Sequence, residues 1–412
     1  GIASLSTNRK IDIIGAGPAG LMAAITAAEA GGYVTLWERM PNPGVKLSAT
    51  GGGRCNLTNT LSTGEYIASF GRQGAFMRPA LNTFDAAALC RFFASLGVET
   101  HCPDGFHIFP VVESAPALRD ALVKRCRESG IALRTDTTAE RLIVHDGRIH
   151  GFISSQGDIK CDTLLLAAGG CAWPALGSDG SGFTLAYQVG HTLVSPAPAL
   201  TPLVTRQRWP HDCAGIVING ARVRIDLPKA SKAGVTGDLL FTHRGISGPA
   251  VLDISREVAR RLEDNNEPVP LRLYLTKQEN PEAWMDRFAE WRTQHPKRLV
   301  RTLVAEQLPH SLAQAACTES GISDTLRAAE FPRAAGRKLA EFLAGVRVDI
   351  VRTEGFERAM ATAGGVSTGE VDPRTLQSKK VQGLYFAGEI LDIDGRCGGY
   401  NLQWAFSSGF LA

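Results

Sequence analysis

"KIDIIGAGPAGLMAAITAAEAGGYVTLWER", residues 10–39, decides the fold, because it reads as one βαβ unit. Ile11, Ile13 and Ile14 make a short apolar strand. Gly15, Gly17 and Gly20 then supply G-x-G-x-x-G, and Pro18 and Ala19 open an Ala- and Leu-rich helix. Gly31-Gly32 stops the helix after Ala30, and YVTLWE is a second strand ending on Glu38 and Arg39. The three glycines have separate tasks: a tight turn, close backbone approach to a pyrophosphate, and close packing of helix on strand. Unpaired N–H groups and the positive dipole end at the helix start face the phosphates. A carboxylate at Glu38 is placed to accept ribose hydroxyls. An isolated glycine fingerprint is a weak signal, but here strand, glycines, helix, strand and acid follow in order.

The far end of the chain distinguishes a nicotinamide from a flavin dinucleotide. In "KKVQGLYFAGEILDIDGRCGGYNLQWAFSSG", residues 379–409, a buried strand Leu384 to Ala387 ends in Gly388 and Glu389. A loop follows, and a helix begins near Gly399, Tyr400, Asn401 and Leu402. The acid suits ribityl hydroxyls, and the helix start suits the negative charge that reduction places on a flavin's pyrimidine edge. A third apolar strand, Thr163 to Ala167, runs into Ala168, Gly169 and Gly170, behind the expected cofactor. Before it, residues 140–160 read as an antiparallel meander with turns at Asp146-Gly147 and Gln156-Gly157.

"SATGGGRCNLTN", residues 48–59, sits on the cofactor side of this sheet. Gly52 and Gly53 let backbone lie against the cofactor, while Lys46 and Arg54 offer charge to phosphate or reduced flavin. Asn56 serves either the ring edge or the order of the loop. Cys55 is a candidate general acid beside the flavin, with Cys397 in DGRCGGYN competing for that role. The plainer reading of Cys55 is a small buried filler. His243 and Arg244, in FTHRGISGP, are substrate-side candidates. That segment equally reads as a helix start with Ser247 as N-cap and Pro249 in the first turn.

At 412 residues the chain is too long for one simple core, and 44% hydrophobic with 21% charged content is that of a globular protein. A net charge of +3 does not argue for nucleic acid by itself, and no apolar run is long enough to span a bilayer. The opening GIASLSTNRK lacks the regions of a secretory signal. Nine cysteines without a C-x-x-C pair point to a reduced, cytoplasmic protein without a disulfide framework. No histidine spacing suggests a metal.

Together, GAGPAG, PGVKLSATGGGRCNLTN, LLFTHRGISGP, TAGGVSTGEVD and GLYFAGEILDIDGRCGGYNLQWAFSSG closely resemble the bacterial BaiN/RdsA-like flavoproteins, from about Ile11 to the C-terminus. The resemblance implies an α/β, glutathione-reductase-type Rossmann-like FAD domain interrupted by an inserted domain. It also implies bound FAD, and substrates that are either steroid-like double bonds or uridine in ribosomal RNA. The expected division is an FAD domain at 1–190 and 355–412, with a substrate or cap domain at 191–354. Pro196, Pro198 and Pro202 mark the exit from the first part. The insert reads as β-rich over about 191–280 and helical over about 281–354, a barrel or sandwich with helices attached. Within the helical part, Trp284, Phe288 and Trp291 form an apolar stripe, read as core rather than as a base-stacking platform, and Lys297, Arg298 and Arg301 a basic cluster that suits either a solvated face or phosphate binding.

The expected activity is reduction of an activated carbon–carbon double bond by non-covalent FAD, with NAD(P)H as a transient donor because only one dinucleotide fingerprint is present. The alternatives are an enzyme reducing uridine to dihydrouridine in ribosomal RNA, and a flavin-binding protein without turnover. The expected partner is a small molecule or an RNA base, with neither DNA nor membrane involved.

Overall fold

Five parallel strands form the sheet on which the first unit is built, in the order Leu384–Phe386, Leu164–Leu166, Lys10–Ile14, Tyr33–Trp37, Ala132–Arg134. This computed structural model describes residues 9–412, so the reading of the opening residues lies almost wholly outside it. The strands Leu164–Leu166 and Leu384–Phe386 are apolar because they are buried, with Leu164, Leu166, Leu384 and Phe386 fully enclosed. The first helix, Pro18–Glu29, covers one face through Leu21, Met22, Ala24 and Ile25. The helix Ala115–Glu128 and the C-terminal helix Tyr400–Leu411 share the same core. The meander Ala139–His145, Arg148–Ser154, Gly157–Lys160 adds a three-stranded antiparallel sheet, its first turn held by left-handed Asp146 and Gly147.

The chain divides into two units, one ending at Pro198 and resuming at Met360, the other running Ala199–Ala359. These crossing points lie eight and five residues beyond the approximate ones expected, at about 190 and 354. The strand Leu193–Ala199 pairs with Ala361–Val366, which keeps both segments in the first unit. In the second unit six strands close a barrel: Leu203–Thr205, Gly245–Ser247, Val235–Phe241, Val217–Ile225, Val269–Tyr274 and Val346–Thr353, the last pairing back onto the first. The insert is therefore not helical to residue 354: Val346–Thr353 is the strand that closes the barrel. Trp284, Phe288 and Trp291 are buried in the core that the barrel shares with its helices. The helix at Pro249 is capped by Gly248 at φ +89°, not by Ser247, which is the last residue of a strand. Among the described residues no helix is long and apolar enough to cross a membrane.

One buried charge lies in the centre of the parallel sheet. Asp12 is fully enclosed; its Oδ1 accepts from Trp37 Nε1 at 2.9 Å, and its Oδ2 has no hydrogen-bond partner. Burial pushes this carboxyl above its ordinary range, against the Trp37 bond and Lys10, whose Nζ is 3.8 Å away. The folded protein thus favours the protonated form. Asp12 contributes stability that is complete below the unfolded carboxylate pKa, about 3.9, and is lost as pH rises through the higher folded value. Asp12→Asn keeps an acceptor for Trp37 and removes the buried charge. It is expected to raise Tm at pH 8 by roughly 2–4 °C, the equivalent of about 1 kcal/mol, with the gain shrinking toward pH 4. Thermal melts at both pH values check this, and an equal loss at both contradicts it.

Candidate functional site

At the carboxyl edge of the sheet the strand ladder continues one residue beyond four of the five strands. Ala387 N donates to Leu166 O (3.1 Å), Ala167 N to Ile14 O (2.8 Å), Gly15 N to Trp37 O (2.8 Å) and Glu38 N to Arg134 O (2.8 Å). Four loops are thereby fixed in one line, where ligands bind in open α/β sheets. Gly15 and Gly20 are steric necessities. A Cβ on Gly15 would stand 2.2 Å from Ala167 O, and one on Gly20 would stand 1.7 Å from Gly15 O. Gly17 is different: a Cβ there meets nothing within 4 Å. It is the N-cap of the first helix, with no side chain capping the first turn. The N–H groups of Ala19 and Gly20, in the first turn, have no acceptor within the helix, a cradle that fits a pyrophosphate.

The C-terminal helix repeats the device. Its N-cap is Gly399 at φ +81°, again without a side-chain cap, and a Cβ there would strike the Thr58 backbone at 2.5 Å. Tyr400 and Leu402 thus start an uncapped helix. At its other end Gly409 lies against Ala19, where a Cβ would stand 2.4 Å from the Ala19 carbonyl oxygen. The two N–H-rich helix starts are consequently separated along the C-terminal helix by roughly 13 Å, nine residues at about 1.5 Å each. That spacing fits an extended dinucleotide rather than a single phosphate.

Two carboxylates stand at strand ends. Glu38 accepts from Ala16 N (2.8 Å) and Met40 N (3.1 Å), each oxygen keeping lone-pair capacity for a hydroxyl. Burial raises its pKa, opposed by those two N–H bonds. Glu389 accepts from Thr362 N at 2.6 Å and pairs with Lys46 Nζ at 3.2 Å. Thr362 is a positioning residue that the sequence reading missed. Its hydroxyl also accepts from Cys171 N (2.9 Å) and Ala172 N (3.1 Å), tying the loop after Ala168-Gly169 to Glu389. The clustered glycines of TAGGV were the available signal.

Several expected contacts are spent on protein. Arg54 donates to Glu113 through Nε (2.6 Å) and Nη2 (2.9 Å) and lies over Phe109, 4.3 Å from the ring centroid. Its charge is therefore taken by a residue the sequence reading did not consider. Arg39 donates to Gly177 O (2.9 Å) and meets Asp179 at 3.4 Å. Asn56, oriented with its amide oxygen toward Gly399 N (3.2 Å), donates to Thr58 O (2.8 Å) and Ile108 O (3.2 Å). Of its two expected roles this is the ordering of the loop. Asn401 similarly clamps Gly395, accepting from its N at 2.8 Å and donating to its O at 3.1 Å.

The glycine loop is a tight coil closed by Cys55 N donating to Thr50 O at 3.1 Å, with Gly51, Gly52, Gly53 and Cys55 all at positive φ. Added Cβ atoms on Gly52 and Gly53 meet nothing within 4 Å, so the outer face of the coil is bare backbone. Cys55 turns the other way. Its thiol is fully buried in the core with Leu21, Leu47 and Leu57, and burial pushes it up to about 11. Of the two roles expected for Cys55, this burial favours the small core filler over the general acid, since the conjugate base of so enclosed a thiol is costly. Cys397 is partly buried in the loop before Gly398-Gly399. His243 and Arg244 belong to the barrel unit, on an exposed turn where Arg244 lies 3.5 Å from Glu354.

Residues 9–412 match the family described as HI0933-like protein Rossmann domain, and the chain belongs to it. It is 35% identical over 407 residues to a 3-dehydro-bile acid delta(4,6)-reductase of Clostridium scindens, covering 98% of each chain. It is 31% identical over 403 residues to a ribosomal RNA dihydrouridine synthase of Escherichia coli, covering 97% of this chain and 95% of the relative. Among solved structures, a 3-ketosteroid-Δ4-(5α)-dehydrogenase from Rhodococcus jostii superposes with a TM-score of 0.51 at 16% identity, over 100% of this chain and 97% of that one. This last likeness is one of fold.

The glycines allow cradle and packing to be separated experimentally. Gly17→Ala is expected to fold with Tm within about 2 °C of the parent, a surface-like change, yet to lose dinucleotide retention. Gly20→Ala is expected to yield little folded protein; a Gly20→Ala protein with parental Tm contradicts the assigned contact. Cys55→Ala is expected to lower Tm, as a cavity in a packed core does, while turnover per bound cofactor stays at the parental value. Rapid-mixing kinetics normalised to cofactor content measure the latter, and a large per-cofactor loss restores the acid role.

Proposed function

We propose that the first unit holds one non-covalent FAD and that the enzyme reduces a carbon–carbon double bond conjugated to a carbonyl. The observation that carries this reading is the pair of uncapped helix starts, at Gly17 and Gly399, with Glu38 and Glu389 at neighbouring strand ends. In this reading Ala19 and Gly20 N–H groups bind the pyrophosphate and Glu38 the adenosine ribose. Glu389, steadied by Thr362 and Lys46, takes ribityl hydroxyls. The start of the C-terminal helix stabilises negative charge on the pyrimidine edge. Gly52 and Gly53 offer bare backbone beside the ring system. Bound FAD supplies two-electron hydride chemistry, which the side chains of this chain do not.

The family relatives support the acceptor class. One is named for reduction of a bile-acid double bond, the other for making dihydrouridine in ribosomal RNA. A uracil C5–C6 bond and a dienone share one electronic feature, an alkene polarised by a carbonyl. The same site chemistry serves both, and the small-molecule reading is preferred on the higher identity of the bile-acid relative. NADH or NADPH acts as a passing donor, since the sequence holds one G-x-G-x-x-G, at 15–20.

The purified protein is expected to be yellow and to release intact FAD on heating or in acid; release of FMN overturns the cofactor reading. Glu38→Ala is expected to weaken FAD binding by roughly 1–3 kcal/mol, the loss of charge-assisted hydrogen bonds. Anaerobic reduction with NADPH, then reoxidation by a 3-dehydro-Δ4,6 bile acid or by unmodified ribosomal RNA, separates the two acceptors. Reoxidation by neither contradicts the enzyme reading.

A further inference from the structure

The chain leaving the glycine loop enters a small antiparallel sheet in the order Thr58–Asn59, His107–Pro110, Thr100–His101. In the turn before its central strand, Asp104 Oδ1 accepts from Phe106 N (2.9 Å) and His107 N (2.8 Å). Asp104 Oδ2 meets His107 Nδ1 at 2.5 Å. These bonds, the one with the His107 ring first, hold the Asp104 carboxyl far below its ordinary range. A carboxylate so held is an acceptor only, which places a proton on Nδ1 and leaves Nε2 outside that pair.

That nitrogen has a defined direction. It would stand 3.4 Å from a Cβ on Gly398, the residue before the cap of the C-terminal helix. The ring is fixed edge-on to Phe106, with centroids 4.9 Å apart, and 6.2 Å from Phe109. The side chain remains 38% exposed. The other charged and titratable groups around it are Arg54, Glu113 and His101 across Phe109, and Tyr400 and Cys397 of the C-terminal segment.

We propose that His107, positioned by Asp104, donates the proton in the reduction, the role that burial disfavours for Cys55. This rests on the flavin reading above. Reduced FAD, when bound, would supply the hydride with both electrons, its N–H bond breaking as one C–H bond of the product forms. The N–H bond at Nε2 of the imidazolium breaks as the second C–H bond forms. The neutral imidazole regains its proton from water, and NAD(P)H restores the flavin. Asp104 is a positioning residue: it fixes which nitrogen faces the acceptor.

The test uses FAD-loaded full-length protein with a 3-dehydro-Δ4,6 bile acid as acceptor, normalised to bound FAD. His107→Gln is expected to slow the oxidative half-reaction roughly 10²–10⁴-fold, the usual contribution of a positioned acid, and to abolish the pH limb that the donor imposes. In His107→Ala, added imidazole is expected to restore part of the lost rate. Nitrogen NMR of the protein without acceptor is expected to show the Nδ1-protonated ring, and Asp104→Asn to lose that signature. A full oxidative rate in His107→Gln overturns the proposal. So does a loss without imidazole rescue or change of pH limb, which marks a structural role, and so does a wild-type ring protonated only at Nε2. A wild-type protein that no acceptor reoxidises fails at the flavin reading itself, and the proposal falls with it.

Discussion

The approach of Gly20 to the carbonyl of Gly15 governs much of what the first unit does. A helix carrying any side chain at position 20 could not come so close, since its Cβ would stand 1.7 Å from that oxygen. Because the helix lies this near the sheet, its start is held at the carboxyl edge, and Gly15 itself packs against Ala167 of the neighbouring strand's loop. The same helix gives the C-terminal helix its seat, through Gly409 on Ala19. One steric permission therefore positions both uncapped helix starts and the strands between them.

The electrostatic consequence is less obvious. The cations nearest the loops, Arg39, Lys46 and Arg54, are each engaged by a carboxylate of the protein: Asp179, Glu389 and Glu113. The attraction of the site for an anion thus comes mainly from oriented backbone N–H groups, which need no side chain to be ordered on binding. Such groups are fixed by the fold and do not titrate. Side-chain charges here shape loops more than they hold ligand, as Arg54 does by joining the glycine coil to Glu113 and Phe109.

Local features were legible in the sequence. The glycine spacing at 15–20, the apolar strand before it and the acid after the next strand all lie within 30 residues, and the central strand pair of the sheet follows from them. Pairings across long stretches of chain were not. Arg54 meets Glu113 59 residues later, and Lys46 meets Glu389 343 residues later, so neither is visible without the fold. Cys55 allowed two readings in the sequence, and the plainer one, a buried filler, agrees with a left-handed residue, at φ +61°, that turns its thiol into the core. The closing barrel strand was obscured by the helical text before it, although VRVDIVRT alternates as a strand should. Asp104 and His107 are three residues apart, and nothing in that short spacing reveals that the ring faces Gly398.

The division of the chain also imposes an order on biosynthesis. The barrel unit is one continuous segment, Ala199–Ala359, whereas the first unit needs strand Leu384–Phe386 and the helix from Tyr400 before its sheet has both edges. Until then Leu164–Leu166, a fully buried strand in the finished fold, has an unpaired edge. Synthesis at about 5–20 residues per second leaves that edge waiting for the roughly 220 residues between them, about 10–45 seconds, long enough for wrong pairing to compete. Glu389 and the second helix start follow the barrel segment in the chain, so both carboxyl-edge helix starts exist only after that segment has been made. Cells short of flavin would then be expected to accumulate the chain as a substrate for chaperones and proteases rather than as a stable apoprotein.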